Sequence, residues 1–127
     1  MYLGLDLGTS GLKAVLVDED GVLHAEAQAP LRVARPHAGW SEQDPADWIA
    51  ATEIVMTELG ASSDLSAVSG IGISGQMHGA TLLDASGDVL RPCILWNDTR
   101  SHVQAAAMDA DPMWRDISGN IVFPGFT

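Results

Sequence analysis

The opening stretch, LGLDLGTSGLKAVLVD from Leu3 to Asp18, constrains this chain more than any other. Leu3, Leu5 and Leu7 alternate with Gly4 and Asp6, the period of a β-strand. Asp6 therefore lies on the face opposite the leucines. One face demands burial, and the other carries a carboxylate where the strand ends. The small residues Gly8, Thr9, Ser10 and Gly11 follow, and a second apolar strand, LKAVLVD, begins at once. So short a connection joins antiparallel neighbours and leaves no room for a helix.

The turn DEDG, Asp18 to Gly21, leads into a third strand read in GVLHAEAQAP, which completes an antiparallel meander. RPHAGWSEQDP reads as a loop. A helix starts beyond it, with Asp44 as N-cap and Pro45 at its first position. Its apolar stripe is Trp48, Ile49, Thr52, Val55, Met56 and Leu59, and Gly60 is expected to end it. VSGIGISG has the pattern of a buried strand. GATLLDASGDVL reads as a hairpin turning at Ser86 and Gly87, and CILWND as a short strand. A helix is predicted from Thr99, as cap, to Met108, and DPMWRDISGNIVFPGFT is expected to be irregular. The order predicts an α/β fold of the ribonuclease H-like, actin-like layout. Its sheet is mixed, with a three-strand antiparallel meander and flanking helices.

The composition limits what such a fold can bind. The formal charge is −11, and Lys13 is the lone lysine among 17 acidic residues. That surface repels nucleic acid and anionic membrane, so neither is expected as a partner. A phosphate ligand has to be met by local donors or a bound cation. No apolar run approaches the roughly 20 residues that span a bilayer, and the N-terminus lacks a signal-peptide pattern. A cytoplasmic location is the expectation. Cys93 is the single cysteine; within the apolar run RPCILW it reads as a buried structural thiol.

Four stretches carry chemistry. In the opening loop, Gly8 and Gly11 leave the backbone open to a phosphate, and Thr9 and Ser10 add hydroxyls. Asp6 is placed to hold Mg²⁺ through water, and Lys13 to reach a terminal phosphate. An ordinary tight hairpin explains the same small residues. In GISGQMHGA, Gln76, Met77 and His78 stand in a glycine-flanked loop after a strand. A Gln and a His there suit the hydroxyls of a polyol or sugar, and a polar turn with a satisfied His is the plainer alternative. His24, His37 and His102 show no metal-ligand spacing with His78, so no zinc site is expected. In WSEQDPADW, Trp40 and Trp48 read as packing residues, with a pocket wall as the alternative for Trp40. In LWNDTR, the residues Asn97, Asp98 and Arg100 are either a binding loop or the cap of the next helix.

In that order and spacing, GLDLGTSGLKAVLVD, WSEQDPADW, GISGQMHGATLLD, RPCILWNDTR and SGNIVFPGFT resemble the start of the FGGY carbohydrate kinases. The likeness covers essentially the whole chain, and GQMHG with WNDTR is closest to the branch acting on xylulose. The resemblance implies ATP-dependent phosphorylation of D-xylulose to D-xylulose 5-phosphate. Asp6 would then assist the Mg²⁺–ATP end, and Gly8, Thr9, Ser10, Gly11 and Lys13 would face the phosphates. Met77 and His78 match the family's sugar-binding pair. Members of that family are longer, two-domain chains. Residues 1–127 are accordingly expected to be an N-terminal fragment, the first part of the N-terminal domain. The C-terminal domain, the general base and the adenosine pocket are expected outside it. The resemblance further implies a homodimeric full-length enzyme, and a lone fragment that self-associates. A different FGGY substrate (ribulose, gluconate or a glycerol-type polyol) and a non-catalytic, actin- or chaperone-like nucleotide module are the alternatives.

Overall fold

β1 (Tyr2–Leu7) and β2 (Gly11–Val17) pair antiparallel, with Leu3 opposite Leu16, Leu5 opposite Ala14 and Leu7 opposite Leu12. β3 (Leu23–Pro30) continues the meander, so one face of three strands is wholly apolar. The turn into β3 is tied by the Asp18 carboxylate, which accepts the Asp20 and Val22 N–H groups at 3.0 and 2.9 Å. This is a computed structural model that describes residues 1–125, so Phe126 and Thr127 of the SGNIVFPGFT motif lie outside the described residues. The chain divides into two units. The first is Met1–Arg32 with Ala46–Gln76, and the second is Val33–Pro45 with the residues from Met77 onward.

In the first unit the sheet order is β3-β2-β1-β5, with β5 (Gly70–Gly75) parallel to β1. α1 (Pro45–Ser62) lays Ala51, Val55 and Leu59 against Leu3, Leu12, Ala14, Leu16, Ala27 and Ala29. Those helical positions are four apart and form one stripe. Ile49, expected on that stripe, is 64% exposed; two residues before Ala51, it points about 200° away around the helix. Gly60 does not end the helix, because the i to i−4 ladder runs past it to the Ser63 N–H on the Leu59 carbonyl. β5 also departs from expectation. Its register puts Ile71 beside Leu3 and Ile73 beside Leu5. Yet they are 62% and 78% exposed, on the edge strand of the sheet, and neither joins the core cluster under α1.

The second unit is assembled from short pieces. β4 (Glu42–Gln43), in a segment read as loop, pairs with β6 (Cys93–Ile94). Single bridges from Ala34 to Glu42 and from Ala80 to Ile94 widen this ribbon. The expected hairpin at Ser86 and Gly87 is present as a turn with one bridge, Leu83 to Val89. α2 (His102–Asp109) starts later than predicted. Thr99 does not cap it; its hydroxyl donates to the Gly39 carbonyl instead, at 3.1 Å. The stretch expected to be irregular contains α3 (Pro112–Ser118). Asp111 caps its start by accepting the Met113 N–H, and Gly119, at φ +68°, closes its end in the left-handed conformation. Among the described residues no helix is long and apolar enough to cross a membrane.

An ion cluster lies beside the short ribbon of this unit. Asp98 is 2% exposed. Its carboxylate accepts the Ser41 N–H at 2.6 Å and both Nε and Nη2 of Arg100 at 2.9 and 2.7 Å. Arg100 also pairs through Nη1 with Glu42 at 2.8 Å, and Arg91 meets the same Glu42 oxygen at 2.9 Å. The Arg100 guanidinium lies 3.6 Å from the Trp40 ring centre. Trp40 is thus a packing surface for a cation. Burial pushes the Asp98 carboxyl up. The hydrogen bonds from the Arg100 side chain, the Arg100 N–H and the Ser41 N–H outweigh it and hold the group below the ordinary carboxylate range.

Two predictions come from this architecture. Leu59→Ala should cost about 3 kcal/mol by urea unfolding, through a cavity under the sheet. Ile73→Ala should stay within about 0.5 kcal/mol, since its side chain is already in water. The second concerns acid. A carboxyl with a lowered folded-state value adds stability above its unfolded value, near pH 4, and loses it as pH falls through the folded value. Asp98→Asn should therefore be less stable than the parent at pH 7. The gap should narrow below about pH 4 in thermal melts followed by circular dichroism.

Candidate active site

β1 ends in a tight turn in which the Gly8 N–H donates to the Gly11 carbonyl at 2.9 Å. The turn forms the wall of a cleft of about 550 Å³, lined by Asp6, Gly8, Ser10, Gly11 and Lys13, with Gln28 of β3. Five residues predicted for phosphate and metal thus share one opening. Thr9 is the exception in that lining: its hydroxyl donates to Gln76 Oε1 at 3.2 Å. Gln76 is itself fixed by its N–H on the Leu7 carbonyl at 2.8 Å. Gln76, expected at a sugar, therefore braces the turn after β1.

The two glycines of the turn have different reasons to be there. A Cβ on Gly11 would meet the Ala29 carbonyl oxygen at 2.8 Å, so the sheet itself excludes a side chain. A Cβ on Gly8 would lie 3.4 Å from the Gly11 oxygen, an ordinary contact. The fold does not require Gly8 to be bare, whereas close approach of a ligand to the loop does.

Lys13 stands opposite Asp6 in the β1–β2 register and pairs with Glu26 at 2.7 Å, both side chains about half exposed. An exposed pair of this kind is worth under about 1 kcal/mol, so an arriving phosphate can take the ammonium over. Asp6 is exposed at the cleft wall. Among the described residues no three His, Cys, Asp or Glu side chains gather into a metal cage. One accessible carboxylate beside a hydroxyl fits Mg²⁺, which keeps its waters and arrives with phosphate oxygens.

In the second unit, His78 has φ +62°, and the Gly79 N–H donates to the Met77 carbonyl at 2.9 Å. This is a γ-turn with positive φ at its central residue, a strained arrangement for a side chain other than glycine. It brings His78 to the wall of a cavity of about 310 Å³, beside Ser101, Gln104, Met108 and Phe123. Met77 is half exposed at the same turn. Gly79 packs on the buried Cys93, and a Cβ there would lie 2.9 Å from the thiol sulfur. Burial pushes the Cys93 thiol up, which makes it a packing group rather than a nucleophile.

LWNDTR serves the ion cluster: Asp98 and Arg100 bond to each other, and Asp98 caps no helix. Asn97 Oδ1 is buried without a hydrogen-bond partner. Sequence reasoning missed Gln28, Ser101 and Gln104. Gln28 stands opposite Lys13 only once β2 and β3 are paired. Ser101 and Gln104 are three apart, and so share one side of a helix start that was placed elsewhere.

The FGGY family of carbohydrate kinases, N-terminal domain, matches residues 1–127. The chain is 53% identical, over all of its length, to a xylulose kinase of Klebsiella pneumoniae, and spans 26% of that protein. It is 52% identical to a xylulose kinase of Escherichia coli strain K12, again over 26% of that protein. Among solved structures, a xyloylose kinase from Brucella ovis superimposes with a TM-score of 0.95 and 63% identity. That match covers 99% of this chain and 27% of the other. A glycerol kinase of Plasmodium falciparum with ADP shares the fold at a TM-score of 0.87 and 23% identity, over 100% of this chain and 27% of its own. The order of motifs, the mixed sheet with its meander and the match over the whole chain agree: the chain belongs to the FGGY family of carbohydrate kinases.

Proposed function

We propose that this chain forms the phosphate-loop wall, and part of the sugar wall, of a kinase that converts D-xylulose and ATP to D-xylulose 5-phosphate and ADP. The observation that carries the reading is the shared cleft. A strand-end carboxylate, an unobstructed Gly8, the Ser10 hydroxyl and the Lys13 ammonium open on one space in an otherwise acidic protein. The sugar is read from the relatives named xylulose kinase at 53% and 52% identity. The cytoplasm, where ATP and free sugar meet, is the place of work in this reading.

Each residue has a physical task. Asp6 would hold, through water, a Mg²⁺ ion arriving with the nucleotide, which would supply charge neutralisation to the phosphates. The Gly8 N–H is committed to Gly11, so the donors facing a phosphate in the cleft are the Ser10 hydroxyl and Lys13. Thr9, tied to Gln76, keeps the loop in place. His78 hydrogen-bonds a sugar hydroxyl and Met77 offers an apolar edge. The sugar hydroxyl must lose its proton to a base. Asp98 is unsuited, because Arg100 and Ser41 stabilise its ionised form and bury it. By the family resemblance, the base belongs to the part of the longer relatives that these residues do not match.

The test is a chimera in which this chain replaces the matching part of the Klebsiella pneumoniae xylulose kinase, assayed by coupled ADP release. D-xylulose should be turned over in preference to ribulose, gluconate and glycerol. In the chimera, Asp6→Ala should lower kcat about 100-fold with little change in KM. His78→Ala should raise the sugar KM about tenfold or more and leave the KM for ATP unchanged. Normal turnover by Asp6→Ala at saturating Mg²⁺ would reject its assignment, and an unchanged KM for every sugar would remove His78 from the sugar wall. Nucleotide binding with no sugar turnover would favour the switch-like alternative. The 127-residue chain alone should release no ADP above background with D-xylulose and Mg²⁺–ATP, and sugar-dependent release would place the base within it.

A further inference from the structure

We infer that Arg100, with Asp98 and Glu42, is a positioning group that holds the strained turn presenting His78, rather than a group that touches sugar. An unbroken chain of contacts within the second unit supports this. The Arg100 guanidinium is gripped by Asp98 through two hydrogen bonds and by Glu42 at 2.8 Å, with the Trp40 ring against one face. Three of its five N–H groups therefore point inward, and the side chain is only 15% exposed. Glu42 is in turn the β4 residue paired with Ile94 of β6. Ile94 bridges to Ala80 on its other side, so the cluster reaches the turn through a single strand. Cys93, the other residue of β6, lies under Gly79 and is close enough to exclude a Cβ there. Gly79 supplies the N–H that closes the turn on Met77 and keeps His78 at φ +62°.

The energetic logic follows from strain. A non-glycine residue in this conformation costs on the order of 1–3 kcal/mol and persists only where its surroundings over-determine it. A two-residue ribbon makes too few hydrogen bonds to do so by itself. The buried ion cluster adds directional, low-entropy bonds at the point where the ribbon is shortest. Loosening the cluster should let the turn relax to negative φ without unfolding the helices.

Nuclear magnetic resonance on the 127-residue chain tests this. The one-bond Cα–Hα coupling of His78 distinguishes positive from negative φ, and amide exchange at Gly79 reports closure of the turn. Glu42→Gln and Arg100→Lys should shift the coupling toward negative-φ values and speed Gly79 exchange about tenfold or more. Amides of α2 and α3 should stay protected. Gly79→Ala, which strikes the contact with Cys93 directly, should give the same signature with the cluster intact. An unchanged His78 coupling in Glu42→Gln and Arg100→Lys, with α2 and α3 still protected, overturns the inference. Loss of protection throughout the second unit in both also overturns it, because the cluster would then hold the unit together rather than aim the turn. A sugar arm rests on the proposed function: in the chimera with the Klebsiella pneumoniae enzyme, Glu42→Gln should raise the KM for D-xylulose about tenfold. If the chimera turns over no D-xylulose while the turn responds as expected in the 127-residue chain, the sugar reading fails and the positioning role stands.

Discussion

Burial of the leucine face of β1 against α1 is the constraint on which the first unit depends. Leu3 has to face Ala51, Val55 and Leu59 because only that contact removes enough apolar surface from water to order a four-stranded sheet. Strand geometry then leaves no choice for Asp6. With side chains alternating, a carboxylate one residue from Leu5 and Leu7 must emerge on the far face, and it emerges where the strand ends. The cleft-side carboxylate is thus a by-product of core formation, which fixes its position without using its charge.

The second unit solves its folding problem differently. Its buried hydrophobic residues are few, among them Cys93, Leu95, Ala105 and Val122, and its strands are two residues long. Polar bonds join its segments. One guanidinium joins Asp98, Glu42 and Trp40, drawing together segments that lie far apart in the sequence. A buried ion pair is costly to desolvate, so its value is better seen as specification of geometry than as net stability. The turn that carries His78 is one strand away from this cluster and depends on geometry more than on depth of burial.

Glycine has three separate meanings in this chain. At Gly11 and Gly79 it is demanded by a neighbouring atom, the Ala29 carbonyl in one case and the Cys93 sulfur in the other. At Gly119 it is demanded by a left-handed helix end. At Gly8 neither holds, and a Cβ there would lie 3.4 Å from the Gly11 carbonyl oxygen. A Gly-rich motif therefore does not speak with one voice, and the structure separates its members.

Several features were legible in the residues themselves, because each rests on local physics. The period of two in LGLDL set β1 and the outward Asp6, the short GTSG connection set the hairpin, and Asp44 followed by Pro45 marked the start of α1. The same Asp-Pro signal, with Gly119 beyond it, stands at α3 in the stretch expected to be irregular. Other features were decided only by tertiary structure. VSGIGISG has a buried strand's pattern, but the strand is exposed at the edge of the sheet, a place that no local rule states. Gln76 joins Thr9 because parallel pairing of β5 with β1 delivers it there. Asp98 and Arg100 bond to each other and to Ser41 and Glu42 because residues more than 50 positions away fold beside them. Periodicity and caps act over a few residues, and so a sequence reports them. Partnership between distant polar groups is chosen by the path of the whole chain, and only the folded chain reveals it.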